Sequence, residues 1–131
     1  MFTLEKDDRQ KGLEAPGREC YMDRPRKQAT IYIGLNDKET GVQKFDTDKY
    51  LSILRNTCRS YRVAFSVQLI NGGYFHEDGR YVEENTLMLR LIGVPEETIT
   101  EIAKDLCVFF NQESVMVTLN SASVVFVKEN L

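Results

Sequence analysis

Apolar and polar residues alternate along Ala29–Leu35, where Ala29, Ile31, Ile33 and Leu35 are separated by Thr30, Tyr32 and Gly34. A period of two in β-branched and aromatic residues predicts a half-buried strand. The period then changes. Tyr50, Leu51, Leu54, Cys58 and Tyr61 recur at intervals of three and four, which puts them on one face of a helix and leaves Arg55 and Arg59 on its wetter sides. Asp46 or Thr47 stands where a side-chain oxygen caps such a helix. Alternation returns in Val63, Phe65, Val67 and Leu69, and again in Leu87, Leu89 and Leu91 within Thr86–Ile92. A second helical stripe follows in Ile99, Ile102, Ala103, Leu106, Phe109 and Phe110. Pro95 suits its first turn, Glu96, Glu97 and Glu101 suit the positive end of its dipole, and Asn111 suits a left-handed stop. Ser114–Leu119 and Ser123–Val127 read as short closing strands around Asn120-Ser121-Ala122.

The order β-α-β-β-α-β predicts an α+β, ferredoxin-like sandwich, an antiparallel sheet with two helices on one face. Asp78-Gly79 is a strong hairpin signal between the central strands. Gly72-Gly73 reads as a bend, a bulge or a small secondary hairpin. The uncovered sheet face carries Tyr32, Ala64, Ser66, Gln68, Met88, Arg90, Met116 and Thr118. That surface is too apolar for open water, so the chain is expected to be a homo-oligomer. Residues 1–28 hold Pro16, Pro25, Gly12 and Gly17 among dense charges and sustain no period. They are expected to form an arm, flexible or docked through Phe2, Leu4, Leu13, Tyr21 and Met22, ahead of a single domain at 29–131.

Composition narrows the function classes. The chain has 131 residues, 28% of them charged, and a net charge of -3. That balance suits one globular domain and argues against a dedicated nucleic-acid binder, since the one basic run is Arg24-Pro25-Arg26-Lys27. Cys20, Cys58 and Cys107 are scattered and His76 is the single histidine. This pattern predicts reduced thiols and no zinc centre. No apolar run is long enough to span a bilayer and the acidic N-terminus does not resemble an export signal. A cytoplasmic location is expected, with no cofactor and no membrane partner.

Several short stretches, in order, are similar to a bacterial family, domain of unknown function 3574. Tyr32-Ile33-Gly34-Leu35 resembles its opening strand, Gly73-Tyr74 and Gly79-Arg80-Tyr81-Val82-Glu83 its central turn region, and Phe110-Asn111-Gln112-Glu113-Ser114-Val115 its last connection. The likeness covers residues 30–127. It implies the fold and adds little on function, because the family's role is unassigned.

The sequence holds no catalytic triad, P-loop or dinucleotide fingerprint. The leading expectation is a non-catalytic module binding a small, anionic ligand or a protein partner. Arg62, Arg80 and Arg90, with the Gly72-Gly73 backbone, are the candidate anion contacts. The alternative is a small isomerase or hydrolase with a site at a subunit interface, for which Glu83, His76 and Glu113 are the candidate acids and bases. The adjacent Glu83-Glu84 pair cannot act jointly on a strand, whose successive side chains face opposite ways. It reads equally as a solvated strand end.

Overall fold

The computed structural model describes residues 26–129; residues 1–25 of the expected arm, with its anchoring residues and Cys20, lie outside them, and 26–28, expected as the end of that arm, belong to the first strand instead. Six elements follow in the expected order: β1 (Arg26–Gly34), α1 (Thr47–Ser60), β2 (Phe65–Phe75), β3 (Tyr81–Ile92), α2 (Glu96–Phe109) and β4 (Met116–Ala122). The strands form one antiparallel sheet in the order β2-β3-β1-β4. The fold is the ferredoxin-like α+β sandwich. No described helix is long and apolar enough to cross a membrane.

The core lies between sheet and helices. Ala29, Ile31, Ile33 and Leu35 come from the β1 side, Leu87, Leu89 and Leu91 from β3, and all seven are fully buried. They meet Tyr50, Leu54 and Cys58 of α1 and Ile99, Ile102, Ala103 and Leu106 of α2. Thr57 joins the buried face of α1 because its hydroxyl donates to the Ile53 carbonyl at 2.8 Å, which removes the cost of burying it. Burial pushes the Cys58 thiol up to about 11, so it packs as a small apolar group. Tyr61 ties the helices together by donating to Asp105 Oδ2 at 2.6 Å, and that bond, with burial, raises its phenol to about 12.

Three local expectations are corrected. Asp46 does occupy the N-cap of α1, but its side chain makes no capping bond, and its backbone carbonyl accepts from Lys49 N–H instead. Gly72 and Gly73 neither bend nor bulge. The β2–β3 register runs unbroken from Phe65↔Leu91 to Phe75↔Tyr81, and the positive-φ glycines among the described residues are Gly41, Gly79 and Gly93. Gly73 is small for another reason: a Cβ there would collide with the Tyr81 hydroxyl and ring. At the other end, β4 closes the sheet alone, since 123–128 adopt no strand.

The continuous register has a consequence for shape. Pairing of β1 with β3 ends at Gly34↔Thr86, while β2 and β3 continue as far as Phe75↔Tyr81. The last rungs, Asn71↔Asn85 to Phe75↔Tyr81, form a two-stranded ribbon reaching roughly 16 Å past β1 at the usual rise per residue. Its base and the β1–α1 loop frame one rim of the sheet.

Candidate functional site

Glu84 defines that rim. It sits opposite Gly72 in the ribbon, half-buried, on the uncovered face of the sheet. Its Oε2 accepts from Asn36 N–H at 2.9 Å. A Cβ on Gly34 would lie 2.6 Å from Cδ, Oε1 and Oε2 of Glu84. The carboxyl group therefore lies against the Gly34 backbone, and glycine at 34 is what makes room for it. Oε1 has no hydrogen-bond partner among the described residues.

The loop beneath this carboxylate is held by amides. Gln112 Nε2 donates to the Asn36 carbonyl at 2.7 Å, and Asn85 Nδ2 donates to Gln43 Oε1 at 3.1 Å. Asp37 is buried; its Oδ1 accepts from Glu39 N–H at 2.8 Å, and its Oδ2 accepts from Asn111 Nδ2 at 2.9 Å. Asn111 takes the expected left-handed conformation, φ 51°, at the end of α2. From there its Nδ2 also reaches Glu39 Oε1 at 3.0 Å. The ends of β1 and α2 are thus clamped together below Glu84. Tyr50 adds an edge-on contact with Phe110, ring centroids 5.0 Å apart.

The Asn111 hydrogen bond, the Glu39 and Thr40 backbone amides and the Lys44 ammonium at 3.7 Å hold the Asp37 carboxyl below its ordinary value of 3.8. A carboxyl depressed in the folded state stabilises the fold fully above its unfolded pKa, and that contribution fades as pH falls through the folded value. The expected result is an Asp37→Asn variant whose melting temperature changes less than the wild type's between pH 5 and 2.5, measured by circular dichroism. An identical acid slope in both proteins would remove Asp37 from this role.

The residues singled out in the sequence fall into separate places. His76 stands at the ribbon tip, 44% exposed, with Nδ1 3.6 Å from Asp78 Oδ1. Arg80 also engages Asp78, with Nε 3.4 Å from Oδ2. The Arg80 backbone N–H, then the charges of Arg80 and His76, lower the Asp78 carboxyl. Glu83 is exposed and accepts from the Tyr81 hydroxyl at 3.3 Å; its charge raises the Tyr81 phenol. Glu113 is exposed beyond the end of α2. Arg62 is exposed in the α1–β2 connection at φ 56°, and Arg90 pairs with Ser66 near the opposite end of β2 from the tip. Phe65 and Phe75 are the two ends of the 11-residue β2, about 33 Å apart at the usual rise per residue. One subunit therefore does not bring Arg62 and Arg90 to Arg80. Gly72 and Gly73 do lie at the rim, opposite Glu84 and Glu83, and so in acidic surroundings.

Glu84 and Asn85 belong to the polar stretch after the hairpin that reads equally as a solvated strand end, and Asn36, Asp37 and Gln43 carry no site signal in the sequence. The available signal was Gly34, a glycine closing an otherwise branched strand, which marks a close approach. Among the described residues no cluster of His, Cys, Asp and Glu is arranged to hold a metal ion.

No family model matches the chain, and no curated protein matches its sequence. Solved structures do match its fold. A phage SAM lyase in complex with S-methyl-5′-thioadenosine aligns over 79% of this chain and 93% of that one, at 20% identity and a TM-score of 0.53. Bacillus subtilis GlnK with ATP aligns over 76% and 83%, at 12% identity and 0.52. The PII-like protein CPII of Thiomonas intermedia K12, bound to ADP, AMP and bicarbonate, aligns over 80% and 98%, at 15% identity and 0.51. Identities this low establish a shared fold.

Proposed function

We propose that the chain is a small-molecule binding module acting as a homo-oligomer, with the adenosine part of its ligand held at the rim by Glu84. The observation that carries this reading is the Glu84 carboxylate: half-buried, fixed by Asn36 N–H through one oxygen and open at the other. A positioned carboxylate of this kind accepts hydrogen bonds from ribose hydroxyls or an ammonium group. The three fold neighbours above were solved with adenosine compounds, which supports the same ligand class.

Rim charge discriminates among those compounds. Glu84 takes the Asn36 amide of the loop that also carries Asp37 and Glu39, set against Lys38 and Lys44, and Lys44 already faces Asp37. A polyphosphate would meet like charge, whereas a neutral thioether nucleoside or a cationic sulfonium nucleoside is matched. The same acidity favours a second reading, cleavage of S-adenosylmethionine, over any reaction of a nucleotide triphosphate. Oligomerisation is supported by the uncovered face, where Gln68, Met88, Tyr32 and Met116 share one row across all four strands and Met116 is 58% exposed.

Native mass spectrometry with S-methyl-5′-thioadenosine, S-adenosylmethionine and ATP tests the proposal. The expected result is an oligomer retaining one sulfur nucleoside per subunit and little ATP. A monomer that retains none of the three would overturn it. In the same incubation, intact S-adenosylmethionine marks a binding module and released S-methyl-5′-thioadenosine marks a lyase.

A further inference from the structure

A groove lies on the helix-covered side of the molecule. Residues 48, 51, 52, 55, 56 and 59 recur at helical spacing along one flank of α1, beside the first residue of the edge strand β2. Asp48, Leu51, Ser52, Arg55, Asn56 and Arg59, with Phe65, line a groove of about 500 Å³. That is the size of small-molecule clefts, which pair apolar walls with a few polar groups. Glu84 is on the opposite face, and Phe65↔Leu91 is the far end of the β2–β3 ladder from Gly72↔Glu84.

The charges in this groove are unusual for an acidic chain of net charge -3. The guanidinium groups of Arg55 and Arg59, one turn apart, have no ion-pair or hydrogen-bond partner among the described residues, although exposed arginines on helices commonly pair with acids three or four residues away. Proximity to the C-terminal end of α1 accounts for Arg59, which complements the helix dipole there. It does not account for Arg55 a turn earlier. Two adjacent guanidinium forks are suited to one oxyanion, phosphate or carboxylate. Leu51 and the half-buried Phe65 supply apolar surface beside them, and Ser52 and Asn56 supply neutral hydrogen-bonding groups.

We infer that the α1 groove is a separate binding site for a small organic anion: a phosphate or carboxylate clamped by Arg55 and Arg59, with an apolar or aromatic body against Leu51 and Phe65. It is independent of the rim proposal, and a ligand here would act as an effector or a second substrate.

Amide NMR titration of the full chain with phenyl phosphate is the test. The expected result is saturable shifts confined to residues 48–59 and Phe65, with binding about tenfold weaker in Arg55→Gln and in Arg59→Gln. Glutamine preserves helix propensity, and an otherwise unchanged spectrum verifies folding. Phenol is expected to shift the same amides far less, and Glu84→Gln to leave the affinity unchanged. Shifts spread over the surface without saturation, or equal affinity in both arginine variants, would overturn the site. Inorganic phosphate binding as tightly as phenyl phosphate would overturn the role of Leu51 and Phe65.

Discussion

Replacing Glu84 by glutamine is expected to weaken binding of S-methyl-5′-thioadenosine by about 10- to 100-fold, the usual worth of a hydrogen bond to a charged acceptor. The fold should survive, because the side chain touches the rim and not the core. Gly34→Ala should cause a loss of the same size without touching the carboxylate chemically. Its new Cβ would stand 2.6 Å from the Glu84 carboxyl atoms, so the flexible end of Glu84 must swing away and give up the Asn36 amide. Gly34 does not have a positive φ, so alanine meets no backbone strain there. Two substitutions acting through one group should not add. The Gly34→Ala, Glu84→Gln double variant is therefore expected to bind about as weakly as either single variant. Isothermal titration of the four proteins measures this. Full additivity, or wild-type affinity in Glu84→Gln, would remove Glu84 from the binding machinery.

That coupling shows which parts of the molecule were legible in the chain and which were not. Periodicity is set by burial, and burial here is one-sided: Ile31 and Leu89 alternate with Tyr32 and Met88 because one sheet face meets helices and the other does not. The six elements followed directly from it. Strand ends did not, because the ribbon beyond Gly34↔Thr86 packs on no core and its side chains carry no burial signal. Gly72-Gly73 looked like an interruption for that reason; its regular pairing is fixed by the register inherited from Phe65–Ile70, which no local pattern encodes. The rim was hidden for a related cause. Its carboxylate and the backbone N–H that fixes it are 48 residues apart, and Asn111 meets Asp37 across 74. Asparagine and glutamine in loops look alike in sequence whether they clamp a site or face water. Residue type alone marks the anion candidates, and the fold leaves Arg80 at the ribbon tip while Arg62, ahead of β2, and Arg90, on β3, lie toward the other end of the β2–β3 ladder.

Leu89→Ala is expected to have the largest effect on stability, about 3–5 kcal/mol. Leu89 is fully buried on β3, the strand flanked by both β1 and β2, and its cross-strand partners are Ile31 and Val67. Ile31 is itself fully buried, so the vacated volume lies in the interior, where neighbours relax only in part. A drop of roughly 10–20 °C in melting temperature follows for a chain of this length. Leu69 is the informative contrast. It points to the same side two residues along β2 from Val67, yet it is 48% exposed because β2 is an edge strand that the helices do not fully cover. Leu69→Ala should lose less than about 1 kcal/mol. The size of the difference, measured by urea denaturation with equal m-values, reports how far helix cover extends across the sheet. Near-equal losses at both positions would mean that the β2 edge is buried in solution, and a second copy of the chain seated on it would be the cause to look for.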